Sequence, residues 1–337
     1  MQLLKYTAWL CSVLSLYSCD RLFTEVPASG PEATFEYAWR MFDEEYAPFT
    51  ERGVDWDSVY TANRPLLDAT STEEELFTVL TAALSSLDDG HVSLTAPGRP
   101  VFHANRIRRE GIGNDRFRRP VIKQYLDADF REASDTSFLY GGLRNTDLAY
   151  IHFDHVGENL YELPEFVKRY ADAPGLIIDL RHNRGGDFTY FFSEMGPLVD
   201  APRVIFRSRT KNGSGRDDFT GWTEWSVTPT TPHYGKPIAV LTDRYTISAG
   251  ERAVMALRAL PNVITVGDTT NGAHGTMIGR ELPNGWFTSL TPQQVTLPGG
   301  ESLEGRGLPP DHVVVNTPEL LSAGHDSVLD AAIELLQ

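Results

Sequence analysis

Apolar and polar positions change their spacing along the chain, and the first part has a helical pattern. From residue 32 to residue 87, apolar side chains recur at intervals of three or four, which places them on one face of a helix. A helix start is clearest at Thr72, because threonine followed by Glu75 forms a capping box. We predict a helical subdomain over residues 32–95, whose last helix ends with Gly90 in the left-handed conformation.

Beyond residue 145, short apolar runs alternate with helical patterns. Such alternation is typical of an α/β layered domain, and we assign residues 146–337 to it. The predicted strands are 148–153, 176–180, 238–242 and 263–266, and the predicted helices are 160–170, 248–260 and one that begins at Phe188.

The segment between these two parts, residues 96–145, has no clear period, and we interpret it as an irregular connection. It holds a local cluster of arginines, namely Arg106, Arg108, Arg109, Arg116, Arg118 and Arg119. Such a cluster is typical of a solvated loop. The alternative is a surface that binds carboxylates, because the guanidinium fork matches the geometry of a carboxylate.

Composition narrows the classes of protein that need to be considered. With 337 residues, 41% of them hydrophobic, the chain is long enough to bury a sizeable core, which argues against a disordered protein. The formal net charge of −16 repels polyanions and argues against a nucleic-acid partner. The two cysteines, Cys11 and Cys19, both precede residue 20, which excludes a disulfide framework or a cysteine-rich zinc site in the body of the chain.

The N-terminus has the pattern of an export signal. One charged residue, Lys5, precedes an apolar run of a length that suits a signal peptide rather than a membrane span. The sequence Leu16-Tyr17-Ser18-Cys19 resembles the lipobox of bacterial lipoproteins, in which the cysteine is lipidated. We therefore predict a lipoprotein signal peptide over residues 1–18, a tether over 19–31, and a bacterial envelope protein anchored to the membrane through Cys19.

A polar turn after the predicted strand 238–242 brings Ser248 to the start of a predicted helix. Unpaired amide N–H groups point outward at such a position, so the hydroxyl is exposed next to donors for an oxyanion. Small neighbours, Ala249 and Gly250, leave room for a substrate carbonyl. The match to a nucleophile elbow is only half, because Thr246 stands where that motif has glycine. The alternative interpretation is an ordinary helix N-cap, for which serine is favoured.

A serine nucleophile needs a base, and this chain offers histidine rather than lysine, since no lysine follows Lys236. The candidates are His91, which follows a predicted helix end, His274 and His182. A histidine base also needs an acidic partner that orients its ring, and Glu304, in a glycine-rich loop, is a candidate. Each of these residues also has an ordinary structural interpretation.

A pair of glycines, Gly185 and Gly186, follows the predicted strand 176–180. Glycine lets the backbone approach a ligand closely. A tight turn between a strand and a helix is the alternative explanation.

Taken together and in this order, these segments resemble the tail-specific, or C-terminal processing, serine peptidases, and in particular their tricorn-like branch. The resemblance extends over most of the chain from about residue 32. The matching motifs are Leu87-Asp88-Asp89-Gly90-His91, Asp179-Leu180-Arg181-His182-Asn183-Arg184-Gly185-Gly186, Ser248-Ala249-Gly250-Glu251, Gly267-Asp268-Thr269-Thr270-Asn271-Gly272 and Glu304-Gly305-Arg306-Gly307-Leu308-Pro309-Pro310-Asp311.

The resemblance implies a ClpP/crotonase-like α/β core preceded by a helical subdomain. Many relatives carry a PDZ domain between the histidine and the core, but the distance from His91 to Leu148 is too short for one, and we predict that it is absent. Relatives that use a Ser-Lys dyad have a lysine where this chain has Ala273, which excludes that dyad. The residues that the resemblance implies are Ser248 as nucleophile, His91 as base, Glu304 as acidic member, and the backbone amides of Ala249 and of Gly185 or Gly186 as oxyanion donors.

The function implied is that of a serine peptidase that hydrolyses peptides or unfolded polypeptides through an acyl-enzyme, without metal or cofactor. The alternative is a peptidase-fold protein that has lost catalysis and binds peptides or apolar ligands. An intact set of Ser248, His91 and Glu304 favours the enzyme.

Overall fold

The structure, a computed structural model, describes residues 30–337. The predicted signal peptide, the lipidation site at Cys19 and nearly all of the predicted tether lie outside the described residues. Within residues 30–337, no helix is both long and apolar enough to cross a membrane.

The described residues form eleven α-helices and fourteen β-strands. The helices are α1 (Pro31–Glu45), α2 (Phe49–Arg52), α3 (Trp56–Asn63), α4 (Glu73–Ser85), α5 (Arg106–Glu110), α6 (Arg119–Tyr125), α7 (Glu162–Arg169), α8 (Phe188–Glu194), α9 (Ala249–Arg258), α10 (Pro318–Ser322) and α11 (Ser327–Leu336). The strands are β1 (Ser93–Thr95), β2 (Phe102–His103), β3 (Arg131–Glu132), β4 (Phe138–Gly142), β5 (Ala149–Phe153), β6 (Leu176–Asp179), β7 (Arg203–Thr210), β8 (Thr223–Val227), β9 (Ile238–Thr242), β10 (Val263–Gly267), β11 (Ile278–Glu281), β12 (Phe287–Leu290), β13 (Gln293–Thr296) and β14 (His312–Val313).

A seven-stranded sheet in the order β14-β10-β9-β6-β5-β4-β3 forms the centre of the molecule. The strands from β14 to β5 are parallel, whereas β4 and β3 are added antiparallel at one edge. The parallel strands are almost entirely apolar because helices cover both faces of the sheet. Along β9, Ile238 and Val240 belong to the core under α7, α8 and α9, whereas Ala239 and Leu241 belong to the core under α6 and α11.

A second, four-stranded sheet in the order β11-β12-β1-β2 joins the N-terminal helices to the C-terminal half of the chain. Strand β1 pairs antiparallel with β12, so that Ser93 lies opposite Ser289. Side chains of α1, α3 and α4 pack in one core with Trp286 and Leu290. The helical part is therefore not a separate appendage, because residues 278–290 complete its core. A third sheet of three strands, β13-β7-β8, is antiparallel.

The predicted α/β class is confirmed, and most predicted elements lie within a few residues of the observed ones. The capping box at Thr72 is present: Glu75 Oε2 accepts the Thr72 N–H at 2.7 Å, and Thr72 Oγ1 accepts the Glu75 N–H at 3.3 Å. The assignment of a left-handed conformation to Gly90 is wrong. Asp88 has the positive φ, 44°, after this helix, and Gly90 does not.

The segment 96–145 is more regular than its sequence pattern indicates. It contains β2, β3 and β4 and the short helices α5 and α6, and β4 is a full member of the central sheet. No PDZ domain is inserted between His91 and Leu148, where every residue is described. Of the arginine cluster, Arg119 pairs with Glu132 at 2.9 Å, and Arg109 donates to the carbonyls of His103 and Ala104.

Candidate active site

The candidate nucleophile lies where β9 leads into α9, at the carboxyl end of the central sheet, the edge at which α/β proteins place their sites. Asp243 Oδ1 accepts the N–H groups of Tyr245 and Thr246 at 2.9 and 3.0 Å, and the Thr246 hydroxyl donates to the carbonyl of Leu180 at 2.8 Å. These bonds hold the turn that ends at Ser248. Thr246 therefore stabilises the turn through its hydroxyl, which a glycine at this position would lack.

Ser248 itself has φ 60° and ψ −122°, a conformation that a side chain rarely adopts. Backbone strain of this kind costs on the order of 1–3 kcal/mol and persists only where the surrounding structure enforces it. The residue is partly exposed, and the carbonyl of Ser248 accepts the Arg252 N–H at 3.1 Å, which is the first helical bond of α9. The structure therefore holds a partly exposed serine in a strained conformation at a helix N-terminus.

A glycine turn lies against this serine. A Cβ atom on Gly185 would lie 2.7 Å from Ser248 Cβ and 3.0 Å from the carbonyl oxygen of Ile247, so only glycine fits there. Asn183 fixes the turn: its Nδ2 donates to the Phe153 carbonyl at 2.9 Å, and its backbone carbonyl accepts the Ile247 N–H at 3.1 Å. Sequence reasoning missed Asn183 as a positioning residue, although its place in the motif before the glycine pair was a usable signal.

The backbone N–H groups predicted to bind the oxyanion differ in whether they already donate a hydrogen bond within the protein. The Gly185 N–H donates to Asn183 Oδ1 at 3.0 Å and is therefore engaged. Among the described residues, the N–H groups of Ala249 and Gly186 have no hydrogen-bond partner. Ala249 is the first residue of α9, where the helix dipole favours negative charge. Ala249 and Gly186 thus fit the role of oxyanion donors better than Gly185.

The loop that carries His91 packs directly on the serine turn. A Cβ on Gly90 would lie 2.5 Å from Ile247 Cδ1, which shows how closely this loop approaches the residue before Ser248. Asp89 Oδ1 accepts the His91 N–H at 2.8 Å, and the Ser289 hydroxyl donates to the His91 carbonyl at 2.7 Å. The backbone of His91 is therefore held from both sides.

The imidazole of His91 is 5% exposed, and its Nδ1 is buried without a hydrogen-bond partner among the described residues. Burial lowers the pKa of His91, an effect that the charges of Asp89, Glu304 and Glu251 partly offset. The ring is therefore neutral at pH 7, which is the form that accepts a proton.

Glu304 lies close enough to influence His91 by its charge, but its oxygens are bonded elsewhere. Arg52 Nη2 donates to Glu304 Oε1 at 2.6 Å, and the His274 N–H donates to Oε2 at 2.8 Å. Arg52 also lies 3.4 Å from Asp89 Oδ1 and donates to the Gly272 carbonyl at 2.7 Å. The structure thus brings the acidic residue into the site without a hydrogen bond between its carboxylate and His91.

A buried ion pair supports the loop on the far side of the serine. His274 Nε2 lies 3.1 Å from Glu251 Oε1, and both side chains are fully buried. Glu251 also accepts the N–H groups of Gly272 and Ala273 at 2.7 and 2.9 Å. Burial raises the pKa of Glu251, but the positive charge of His274 and these hydrogen bonds outweigh it and lower the pKa to about 2.

The other two candidate bases are occupied or inaccessible. His274 has no exposed surface and cannot meet a substrate. Burial lowers the pKa of His182, but its bond from Nδ1 to Asp243 Oδ2, at 2.5 Å, outweighs this and raises the pKa. Of the three histidines, His91 therefore remains as the candidate base. Residues 30–337 contain no group of three or more His, Cys, Asp or Glu side chains that could hold a metal ion.

Comparison with known proteins identifies two regions of this chain. The profile of Peptidase family S41 matches residues 147–314, and that of the Tricorn protease C1 domain matches residues 27–85. The first region contains Ser248 and the glycine turn, and the second contains Arg52. His91 lies between the two regions.

Three similar proteins extend the comparison. The carboxy-terminal processing protease CtpA of Bacillus subtilis (strain 168) is 30% identical over 138 residues, which are 41% of this chain and 28% of that protein. The Tricorn protease of Thermoplasma volcanium is 28% identical over 197 residues, 57% of this chain and 18% of that protein. A candidate peptidase from Parabacteroides merdae ATCC 43184 has a crystal structure that matches with a TM-score of 0.83 and 29% identity, covering 92% of this chain and 97% of that one.

The chain covers less than a third of the length of these two sequence relatives. The structural match, in contrast, covers nearly the whole of both chains. The resemblance found in the sequence is confirmed: the chain belongs to peptidase family S41, a family of serine peptidases, and carries a Tricorn C1 domain ahead of its S41 domain.

Proposed function

We propose that this protein is a serine peptidase that cleaves peptide bonds in unstructured polypeptides through an acyl-enzyme, with Ser248 as nucleophile. The observation that carries the proposal is the strained backbone of Ser248 at the start of α9, in contact with the glycine turn and next to the His91 loop. Strain at a partly exposed serine is difficult to explain as ordinary helix capping, which needs no positive φ.

The proposed reaction begins when His91 accepts the hydroxyl proton of Ser248 as Oγ attacks the carbonyl carbon of the scissile bond. The N–H groups of Ala249 and Gly186 stabilise the oxyanion of the tetrahedral intermediate. His91 then donates its proton to the leaving amine as the peptide bond breaks. A water molecule then attacks the carbonyl carbon of the acyl-enzyme while His91 accepts one of its protons. His91 returns this proton to Ser248 Oγ as the ester bond breaks and the acid product is released.

Glu304 is proposed as the acidic member of the triad. Its negative charge raises the pKa of His91 against the effect of burial, which is the direction that stabilises an imidazolium in the transition state. Arg52 and the His274 N–H hold the carboxylate in position for this role.

The test compares variants at the three positions with wild type. Ser248→Ala should abolish both labelling by a fluorophosphonate and hydrolysis of an unstructured peptide, and His91→Ala should lower kcat by about 10⁴-fold or more. Glu304→Gln should retain labelling at a reduced rate. Ser193→Ala is the matched control, because Ser193 is an exposed serine on α8 whose hydroxyl bonds its own helix. Labelling that persists in Ser248→Ala would disprove the assignment of the nucleophile.

One observation favours a second function, that of a peptide-binding protein without catalysis. The Nδ1 atom of His91 has no partner among the described residues, whereas in a complete triad it donates to the acidic member. On this alternative, the wild-type protein would bind unstructured peptides but neither cleave them nor react with the fluorophosphonate.

We also propose that the protein is exported and anchored in the bacterial envelope by lipid on Cys19. The support is the lipobox-like sequence that ends at this cysteine. Metabolic labelling with palmitate in a bacterial host should mark the wild-type protein and not Cys19→Ala. Equal label in both would exclude the anchor.

A further inference from the structure

One buried cation among residues 30–337 has no carboxylate partner. The side chain of Arg252, on α9, is 97% buried, since the residue is 3% exposed. Its Nε donates to the His274 carbonyl at 2.9 Å, and its Nη2 donates to Gln293 Oε1 at 2.5 Å and to Thr276 Oγ1 at 3.4 Å. All three acceptors are neutral, and within residues 30–337 no carboxylate lies within ion-pair distance of this guanidinium.

The two other arginines whose guanidinium is similarly buried show the contrast. Arg52 contacts the carboxylates of Glu304 and Asp89, and Arg181 contacts those of Asp179 and Asp326. A buried charge is normally paired in this way, because removing an unpaired ion from water is costly. Arg252 is therefore an exception that needs an explanation.

Two aromatic rings pack against the guanidinium of Arg252. Its Cζ lies 4.5 Å from the ring centroid of Phe188 and 5.0 Å from that of Phe206. Such contacts stabilise a cation but leave its in-plane N–H donors free. Burial lowers the pKa of Arg252 to about 10, although the more distant charges of Glu304, Asp187 and Glu251 oppose this. The guanidinium is therefore protonated at pH 7 and only partly compensated.

Not every N–H donor of this guanidinium has a hydrogen-bond partner among the described residues. Nη1 makes no hydrogen bond to any described residue, yet it is not among the buried polar atoms that lack a partner. It therefore retains a small accessible surface. Two N–H donors of a planar fork are left to meet a ligand.

The backbone of Arg252 lies close to the proposed nucleophile. Its backbone N–H donates to the Ser248 carbonyl at 3.1 Å, so the two residues lie one helical turn apart on the same face. Cα–Cβ bonds in a helix tilt toward its N-terminus, which in α9 is the end at which Ser248 lies. Phe188 follows the glycine turn by two residues, and His274 belongs to the loop that contacts Glu304. The guanidinium consequently lies between the two loops that flank Ser248.

We propose that Arg252 forms a subsite that binds a carboxylate of the substrate next to the scissile bond. This proposal rests on the proposed peptidase function and names its substrate class: peptides with an acidic group near the cleaved bond. The carboxylate has two possible sources, the side chain of Asp or Glu and the free C-terminus of the polypeptide. Both offer the same two oxygens to the guanidinium fork.

The test uses three otherwise identical peptides. The first peptide has alanine next to the scissile bond and an amidated C-terminus. The second has glutamate in place of this alanine and an amidated C-terminus. The third keeps the alanine but has a free C-terminal carboxylate close to the scissile bond. The wild-type enzyme should cleave the second or the third with kcat/KM about 10- to 100-fold above the first, as expected for a charge-assisted hydrogen bond. Which of the two is preferred identifies the source of the carboxylate.

Substitutions then attribute the preference to this side chain. Arg252→Met should reduce the ratio of kcat/KM between carboxylate and neutral peptides to near one, and Arg252→Lys should keep part of it. Arg258→Met is the matched control: Arg258 is on the same helix and bonds the Pro309 carbonyl, away from Ser248, so the ratio should stay as in wild type. A ratio that is unchanged in Arg252→Met overturns the proposal.

Binding to Ser248→Ala makes the test independent of turnover. The dissociation constants of the three peptides for this variant should differ in the same order, and equal affinities would overturn the subsite even if Arg252→Met fails to fold. Absence of cleavage of any peptide by wild type would count against the proposed peptidase function. Cleavage of all three at equal rates would count against the carboxylate subsite alone.

Discussion

At Ser248 the backbone has φ 60°, and at Gly185, which lies against it, φ is 79°. The glycine adopts this conformation without cost, whereas the serine does not. Bonds of Asp243 and Asn183 to the surrounding backbone enforce the strained turn from two sides. The residue that bears strain is therefore the one that the proposed mechanism requires to be exposed and fixed.

The protonation of His91 leads to the first prediction. Because burial lowers its pKa, the acidic limb of the kcat/KM profile should lie below pH 6.5, and activity should rise as pH increases through this limb and stay high at neutral pH. Asp89→Asn removes a charge that raises this pKa, so the limb should move to lower pH. Tyr46→Phe removes only the hydroxyl that donates to Asp89 and should leave the limb in place. A limb at or above pH 6.5 in wild type would contradict the assignment of His91 as base.

Helix α9 is organised around one carboxylate at its third position. Glu251 Oε2 accepts the Ser248 N–H at 3.2 Å, and Glu251 Oε1 accepts the Thr270 hydroxyl at 2.6 Å. The same carboxylate binds the loop from Gly272 to His274. An acid in the first turn is favoured by the helix dipole. One buried side chain thus connects the start of the nucleophile helix with the loop that contacts Glu304.

The second prediction concerns this element. Glu251→Gln removes the nearer of the two carboxylates that face the buried His274, since Glu304 Oε2 lies farther away, 3.8 Å from His274 Nδ1. It should lower the free energy of unfolding by about 3–5 kcal/mol. The folded-state pKa of Glu251, about 2, is below its unfolded value of 4.5, so its contribution is present above pH 4.5 and is lost as pH falls toward 2. Denaturant unfolding at a series of pH values should therefore show a smaller acid-induced loss in Glu251→Gln than in wild type. Glu301→Gln, at an exposed position, is the control. Identical acid sensitivity of the two variants would contradict this account.

At the scale of the whole molecule, the candidate site is assembled from parts far apart in the sequence. Arg52, from the N-terminal helices, donates to the Gly272 carbonyl and to Glu304, which follow it by 220 and 252 residues. Strand β1, which precedes the arginine-rich segment, pairs with β12 near the C-terminal end. The Tricorn C1 region is therefore a structural component of the candidate active site.

The third prediction tests this connection. Arg52→Met leaves the carboxylates of Glu304 and Asp89 buried without their cation, and since both raise the pKa of His91, the acidic limb of kcat/KM should move to higher pH. Arg52→Lys should restore most of the wild-type profile. Arg64→Met, which removes a cation that pairs with Glu32 and Glu36 on the helical surface, should not change it. A loss of stability with an unshifted profile would show that Arg52 has only a structural role.

Local patterns were sufficient for a large part of the fold. The strands 176–179 and 238–242 are short, fully buried apolar runs, and the capping box at Thr72 involves residues three apart. Such signals need no information from the rest of the chain. The short strands and helices of residues 96–145 could not be predicted in this way, because each is too short to show a period in its sequence. The strands among them are stabilised by their neighbours in the sheets.

The same distinction applies to the site. Ser248, His91 and Glu304 were predicted through motifs. The structure packs the loop of His91 against the residue before Ser248, and Glu304 is near enough for its charge to act on His91. The reason for glycine at position 90 could not be predicted from the motif. A side chain there would collide with Ile247, whereas the backbone φ of Gly90 is one that other residues can adopt. The role of Arg52 was missed because its partners, Gly272 and Glu304, are distant in the sequence. Asn183 and Glu251 also bond distant segments, to Phe153 and Gly272, although each belongs to a motif that had been found.

The sequence by itself determined the alternation of strands and helices, because this follows from local periodicity. It also determined which side chains are available for catalysis and the absence of a lysine that could pair with Ser248, because these depend only on which residues are present. Only the tertiary structure decided that Glu304 bonds Arg52 and that His274 is buried beside Glu251. It also decided that Arg252 has no carboxylate partner within residues 30–337. Hydrogen bonds and ion pairs between distant segments form only after packing has fixed their distances, and burial then sets the electrostatic strength of each pair.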